Sequence, residues 1–244
     1  MSYIKLGVNI DHAATLRQVR GGTTTYPDLL ALCQLSKKSG AHQITIHLRE
    51  DRRHIQDADV TLLCKKSPLP INLEMAVSEE MLQIALKNKP KWVCFVPEKR
   101  EELTTEGGLN ILAVFQEIQK MTTSLKVKKI KVSYFIESDL NQVQAAAEAG
   151  ADAVEFHTGH WVLSKGIQKK KAWKQLEKAA QLAHSLGLRV HAGHGLDYSH
   201  ASLMTQLKHL VEVNIGHSLI CYSLEIGLKK SIQKMLKHLK KKKA

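Results

Sequence analysis

Short runs of β-branched and apolar residues alternate with stretches of helical periodicity along nearly the whole chain. The runs cover 4–11 (IKLGVNID), 42–49 (HQITIHLR), 70–77 (PINLEMAV), 92–98 (WVCFVPE), 129–136 (KIKVSYFI), 152–159 (DAVEFHTG), 188–195 (LRVHAGHG) and 211–218 (VEVNIGHS). Amphipathic segments such as YPDLLALCQLSKKSG and KQLEKAAQLAHSLG lie between them. Gly40, Gly150 and Gly187 stand just before the next run, where a helix C-terminus favours glycine. The pattern predicts eight strands, each followed by room for a helix. Eight such units in 244 residues predict an α/β fold, the (β/α)8 TIM barrel, with extra helices in the lysine-rich segments and the stretch 98–128. No linker or composition break divides the chain, so residues 1–244 read as one domain with a lysine-rich tail from about 237. A doubly wound open sheet is the competing topology. It lacks support, because no G-x-G-x-x-G follows the first run and no Walker lysine motif occurs.

The polar residues of this pattern fall at one end. In such a barrel, chemistry sits where the strands lead into the helices. The first run finishes with Asn9, Asp11 and His12, the second with His47 and Arg49, and the third carries Asn72 and Glu74. Glu98 closes the fourth; Glu155 and His157 lie on the sixth, His191 and His194 on the seventh, Asn214, Gly216 and His217 on the eighth. Any one asparagine could simply satisfy a loop, and Glu50, Asp51 and Arg52 could be a solvated ion-paired loop worth little. His47, Glu74, Glu155, His194 and His217 are harder to dismiss, since five ionisable groups at one depth are costly to bury without a task. HAGHG (191–195) and NIGHS (214–218) bring glycines to the ends of runs seven and eight, where backbone N–H groups can hold a phosphate. Arg20, and Arg49 with His54, offer a second anion grip. TTEGGLN (104–110) reads as a lid segment.

Composition narrows the partners. The chain is 43% hydrophobic, has no apolar run long enough to span a membrane, and opens on MSYIKLGVNID without a signal-like core. Cys33, Cys64, Cys94 and Cys221 form no C-x-x-C pair and read as reduced, buried thiols of a cytoplasmic protein. The net charge of +13 invites a nucleic-acid partner, but eight lysines crowd the last sixteen residues and five more lie between Ser164 and Lys174. Such runs read as solvated helix faces, and at 5% aromatic content there is no stacking platform for bases. Anionic small molecules suit the same excess, and neither a nucleic-acid nor a membrane partner is expected.

The stretches GVNIDHAATLRQVRGG, HLREDRRHI, NLEMAV, VPEKREELTTEGGL, EFHTG, AGHGL and NIGH together resemble the pyridoxine 5′-phosphate synthase family, in order and from Gly7 to about Leu228. The resemblance implies a transferase of vitamin B6 biosynthesis that needs neither metal nor organic cofactor. It implies condensation of 1-deoxy-D-xylulose 5-phosphate with 3-amino-2-oxopropyl phosphate to pyridoxine 5′-phosphate, phosphate and water, in a homo-octamer of paired subunits. By motif it gives His47 and Glu74 as proton acceptors, His194 as proton donor and Glu155 as stabiliser of the transition state. It puts Asp11, His12, Arg49, His54 and Thr104 on the deoxyxylulose phosphate, and Asn9, Arg20, Gly195, Gly216 and His217 on the amino-ketone phosphate. Two departures stand out: His191 where asparagine is expected, and a slightly long GGTTTYPD loop after Arg20.

Rival readings remain distinguishable. A zinc hydrolase could use the histidines, but no H-x-H opens the first run and H-E-x-x-H is absent. A retaining glycosidase could use Glu74 and Glu155, but lacks an aromatic sugar platform.

Overall fold

In a computed structural model, which describes residues 3–98 and 107–240, the eight runs are eight parallel strands closed into a barrel. They are β1 (Lys5–Asn9), β2 (Gln43–His47), β3 (Ile71–Met75), β4 (Trp92–Phe95), β5 (Lys131–Ile136), β6 (Ala153–His157), β7 (Arg189–Gly193) and β8 (Leu210–Ile215). Each pairs with its sequence neighbour, and β1 pairs with β8, so the open-sheet alternative is excluded. The helices are α1 (Asp11–Gln18), α2 (Leu29–Lys38), α3 (Asp57–Lys66), α4 (Glu79–Asn88), α5 (Phe115–Val127), α6 (Leu140–Glu148), α7 (Gly159–Leu163), α8 (Gly166–Ser185), α9 (Tyr198–Met204), α10 (His217–Ile226) and α11 (Leu228–His238). Among the described residues no helix is long and apolar enough to cross a membrane.

Alternation along the strands divides the molecule. Leu6, Val8, Ile44, Ile46, Leu73, Val93, Val154, Phe156, Val190 and Val213 are fully or almost fully buried in one continuous apolar layer with the helices. A buried aliphatic or phenyl side chain of this kind stabilises by roughly 1.5–3 kcal/mol, so this layer carries the fold. The alternate positions point into the barrel and are largely polar: Gln43, Thr45, Asn72, Ser133, Glu155, His191, Glu212 and Asn214 are all buried. Several of them pair across the lumen. Gln43 donates to Glu212 at 2.8 Å, Thr45 donates to Asn214 at 3.0 Å, and Asn214 donates to Glu155 at 2.6 Å. Only Cys94, Val96 and Phe135 form a small apolar cluster apart from the main layer.

The helices start and stop on local signals. Asp28, Asp139 and Asp197 accept backbone N–H groups in the first turns of α2, α6 and α9. Gly40, Gly150 and Gly187 take positive φ just after α2, α6 and α8. Arg17 grips Asp59 through two hydrogen bonds of 2.8 and 2.6 Å, tying α1 to α3 beneath the mouth of the barrel.

Candidate active site

The C-terminal ends of the strands open into a cavity of about 630 Å³. Asn9, Asp11 and His12 line it from the end of β1, His47, Arg49 and His54 from β2, and Glu74 from β3. Glu155 lines it from β6, His194 and Gly195 from β7, Gly216 and His217 from β8. Arg20 does not: it is exposed, two residues beyond α1, and outside the lining of its own chain's cavity. Thr104 lies outside the described residues, as do Thr105 and Glu106 of the lid segment. Cys221 is exposed and Cys64 half-buried, so only Cys33 and Cys94 are the buried thiols that all four were expected to be.

Asp11 is the hinge of the first two strands. Its Oδ2 accepts from Asn9 Nδ2 at 2.7 Å, its Oδ1 accepts from the His47 backbone N–H at 2.9 Å, and its own N–H donates to Asn9 Oδ1. His47 is buried and shares a 2.9 Å hydrogen bond between Nε2 and Glu98, while Nδ1 faces Glu74 at 4.0 Å. A histidine between two carboxylates, one orienting it and one beside its free nitrogen, is built to move a proton. Burial opposes the charge of Glu98, but the hydrogen bonds from His47 and the Glu50 N–H hold its carboxyl below the ordinary range.

The other two acids behave in the opposite sense. Burial, with Glu155 and Asp11 nearby, pushes Glu74 well above the carboxylate range. Burial pushes Glu155 up to about 8, even though Asn214 donates to it and partly offsets the effect. A carboxyl raised toward neutrality, as Glu155 is, can both accept and return a proton. Burial also lowers His12 and His54, which favours their neutral forms at the rim.

The β7 and β8 ends form the second half. His194 has φ of 73°, a left-handed conformation that costs a non-glycine residue energy. The Thr158 hydroxyl donates to the Gly193 and His194 carbonyls at 2.9 and 2.5 Å and fixes this turn. Gly216 caps α10, whose N-terminal turn, with His217 and Ser218, opens on the cavity beside Gly195. A glycine-led helix N-terminus is where the backbone can hold an anion.

Asp11, His47 and Glu74 each bring a ligand atom within 4.8 Å of the others, a set that could hold a cation. Both oxygens of Asp11 already accept hydrogen bonds, and burial opposes the charge on Glu74 that a cation would need, so the donors are disposed for proton traffic instead.

Several lining or supporting groups were given no role from the sequence. Arg53, Thr15 and Ser218 line the cavity, Glu98 orients His47, and Glu137 bonds His157 at 2.7 Å. Arg53 stood in the quoted charge run and Glu98 at the end of its strand. No sequence signal tied either glutamate to its histidine, because the partners lie 51 and 20 residues away.

A closed parallel barrel with acids, bases and a helix terminus gathered at one mouth defines an acid–base enzyme of the TIM-barrel class. Comparison with known proteins makes it particular. The family described as pyridoxal phosphate biosynthesis protein PdxJ matches residues 6–241. The pyridoxine 5′-phosphate synthase of Bdellovibrio bacteriovorus is 60% identical over 237 residues, covering 97% of this chain and 98% of the relative. Those of Idiomarina loihiensis and Hydrogenobaculum sp. are 46% and 48% identical, each over 96% of this chain and 97% and 98% of the relative. The chain belongs to the PdxJ family and is an enzyme of pyridoxal phosphate biosynthesis. Among solved structures, a tryptophan synthase from M. tuberculosis aligns with a TM-score of 0.65 at 10% identity, covering 98% of this chain and 93% of that one. A phosphoribosylanthranilate isomerase from Thermotoga maritima aligns at 0.60 and 11%, covering 97% and 98%. These two share the fold alone.

Proposed function

We propose that the cavity condenses 1-deoxy-D-xylulose 5-phosphate with 3-amino-2-oxopropyl phosphate to give pyridoxine 5′-phosphate, phosphate and water. His47 and Glu74 accept protons, His194 donates one, and Glu155 stabilises charge in the transition state. The observation that carries the reading is that these four side chains line one cavity, with burial holding both Glu74 and Glu155 above the ordinary carboxylate range. The chemistry asks for that set. An amine adds to a carbonyl, water leaves, a proton comes off carbon, phosphate departs, a second carbonyl addition closes the ring, and loss of a second water makes it aromatic; each step moves a proton. The substrates supply their own carbonyl electron sinks, so no metal or organic cofactor is required.

Asp11, His12, Arg49, His54 and Thr104 hold the deoxyxylulose phosphate. Asn9, Gly195, Gly216 and His217 hold the amino-ketone phosphate, supported by the α10 N-terminus beside them. Arg20 serves that phosphate from an adjacent subunit, since its own cavity does not include it. That assignment fits a homo-octamer of paired subunits acting in the cytoplasm as single-domain chains. Exposed Val19, Tyr26, Leu163 and Ile167 offer apolar surface for the assembly.

The deciding experiment mixes both phosphate substrates with the whole enzyme and excess chelator and measures pyridoxine 5′-phosphate. Product formation at full rate is expected, whereas chelator-sensitive turnover would favour the cation reading of Asp11, His47 and Glu74. Glu74→Gln should lower kcat at least about 100-fold with little change in KM. A variant that loses affinity but keeps kcat overturns the role of Glu74.

A further inference from the structure

We infer that Glu137 and His157 are a positioning pair for His194: Glu137 orients the His157 ring, and that ring, seated in a slot floored by Gly159, sets the plane of the His194 imidazole. The inference rests on the reading of His194 as proton donor and extends it to two residues outside the cavity lining.

Glu137 follows β5 and faces a separate recess of about 250 Å³ with Ser138, His160 and Lys171, behind the main cavity. Its Oε1 accepts from the Gly108 N–H at 3.0 Å and pairs with His157 Nδ1 at 2.7 Å. Burial works against its charge, but the bond from His157, with help from the Gly108 N–H and nearby His160, holds its carboxyl below the ordinary range. An ionised carboxylate can only accept, so His157 carries its proton on Nδ1. Nε2 faces Gly159.

Contact on the other side of that ring transmits the orientation. The His157 and His194 rings lie 4.9 Å apart and are tilted 52°. Phe135 meets both edge-on, at 5.4 and 6.5 Å. Space below them is exhausted: a Cβ on Gly159 would stand 2.6 Å from His157 Nε2 and 3.2 Å from His194 Cδ2. The His194 backbone is held by Thr158, and His157 with Phe135 packs against its ring and constrains its plane. The Gly159 backbone is outside the left-handed region, so an alanine there adds one methyl wedge between the two rings and no backbone strain.

The test compares Glu137→Ala, Glu137→Gln, Gly159→Ala and His194→Ala in the whole enzyme, each checked for folding by thermal melting. Glu137→Ala and Gly159→Ala should each lower kcat at least about tenfold while KM for both phosphates moves less than about twofold. Glu137→Gln, whose amide oxygen still accepts from Nδ1, should regain most of that loss. Ring nitrogen spectra should show the Nδ1-protonated form of His157 in the parent and in Glu137→Gln, and its loss in Glu137→Ala. If His194→Ala keeps its turnover, the donor assignment falls and this inference with it. If His194→Ala is inactive while Gly159→Ala and Glu137→Ala turn over normally, only the positioning pair is overturned. A Glu137→Gln variant as slow as Glu137→Ala overturns the orienting bond, and should Glu137→Ala not fold, Gly159→Ala decides.

Discussion

His191 sits inside the barrel on β7, 2% exposed, its ring 5.4 Å from Trp92 and its Nδ1 4.0 Å from Glu212. Its Nε2 is buried without a hydrogen-bond partner. Burial, then the charges of Arg189 and Lys5, push its pKa down to about 3. The folded chain therefore keeps the ring neutral where the unfolded chain would protonate it. Its contribution to stability is complete above the ordinary histidine value and is lost as pH falls toward 3. Each unit of pH in that window removes up to about 1.4 kcal/mol, or about 3–6 °C in melting temperature for a chain of this size. His191→Asn should flatten the decline in Tm between pH 7 and 4.5 by several degrees, read by calorimetry in both proteins; parallel declines would show that His191 is not what acid attacks. The sequence marked this residue as a departure from expected asparagine, and its neighbours explain the burden it carries. Most ionisable groups of the cavity were legible because they cluster at strand ends. Glu98 and Glu137 were not, because a carboxylate that orients a histidine from another strand leaves no local trace.

Strands were the most readable elements, because alternation and turn residues mark them directly. Their lengths were not: the runs of seven or eight residues contain strands of four to six, such as Trp92–Phe95 within 92–98. In runs such as 92–98 and 211–218 the excess is the polar end, which has left the sheet at the mouth of the barrel. Inward glycines were also silent in the sequence. Gly193 on β7 leaves room for Glu155 on β6, since a Cβ there would lie 2.1 Å from Glu155 Oε1 and 3.2 Å from the Asn214 carbonyl. Gly193→Ala should displace the Glu155 carboxyl and break its bond from Asn214, costing about 100-fold in kcat. Steady-state kinetics on a variant with an unchanged melting temperature checks this, and unimpaired turnover would mean that Glu155 tolerates displacement.

Across the whole molecule, the charge of +13 and the basic and histidine-rich mouth suit dianionic substrates. Encounter should then be steered by long-range attraction that salt screens over about 8–10 Å. Raising ionic strength should lower kcat/KM for both phosphates several-fold and leave kcat nearly unchanged. A salt-independent kcat/KM would assign the lysine-rich segments no part in capture. Topology at this scale was legible from the count of eight units, while the polar lumen was not, since a barrel interior of this class is usually packed with bulky aliphatic side chains. That lumen has a consequence for how such a chain can change over time. Neighbouring positions on one strand answer to separate demands, one to cohesion with the helices and the next to chemistry inside. New reactivity can therefore be written on every second residue while the outer half of the same strand goes on holding the protein together.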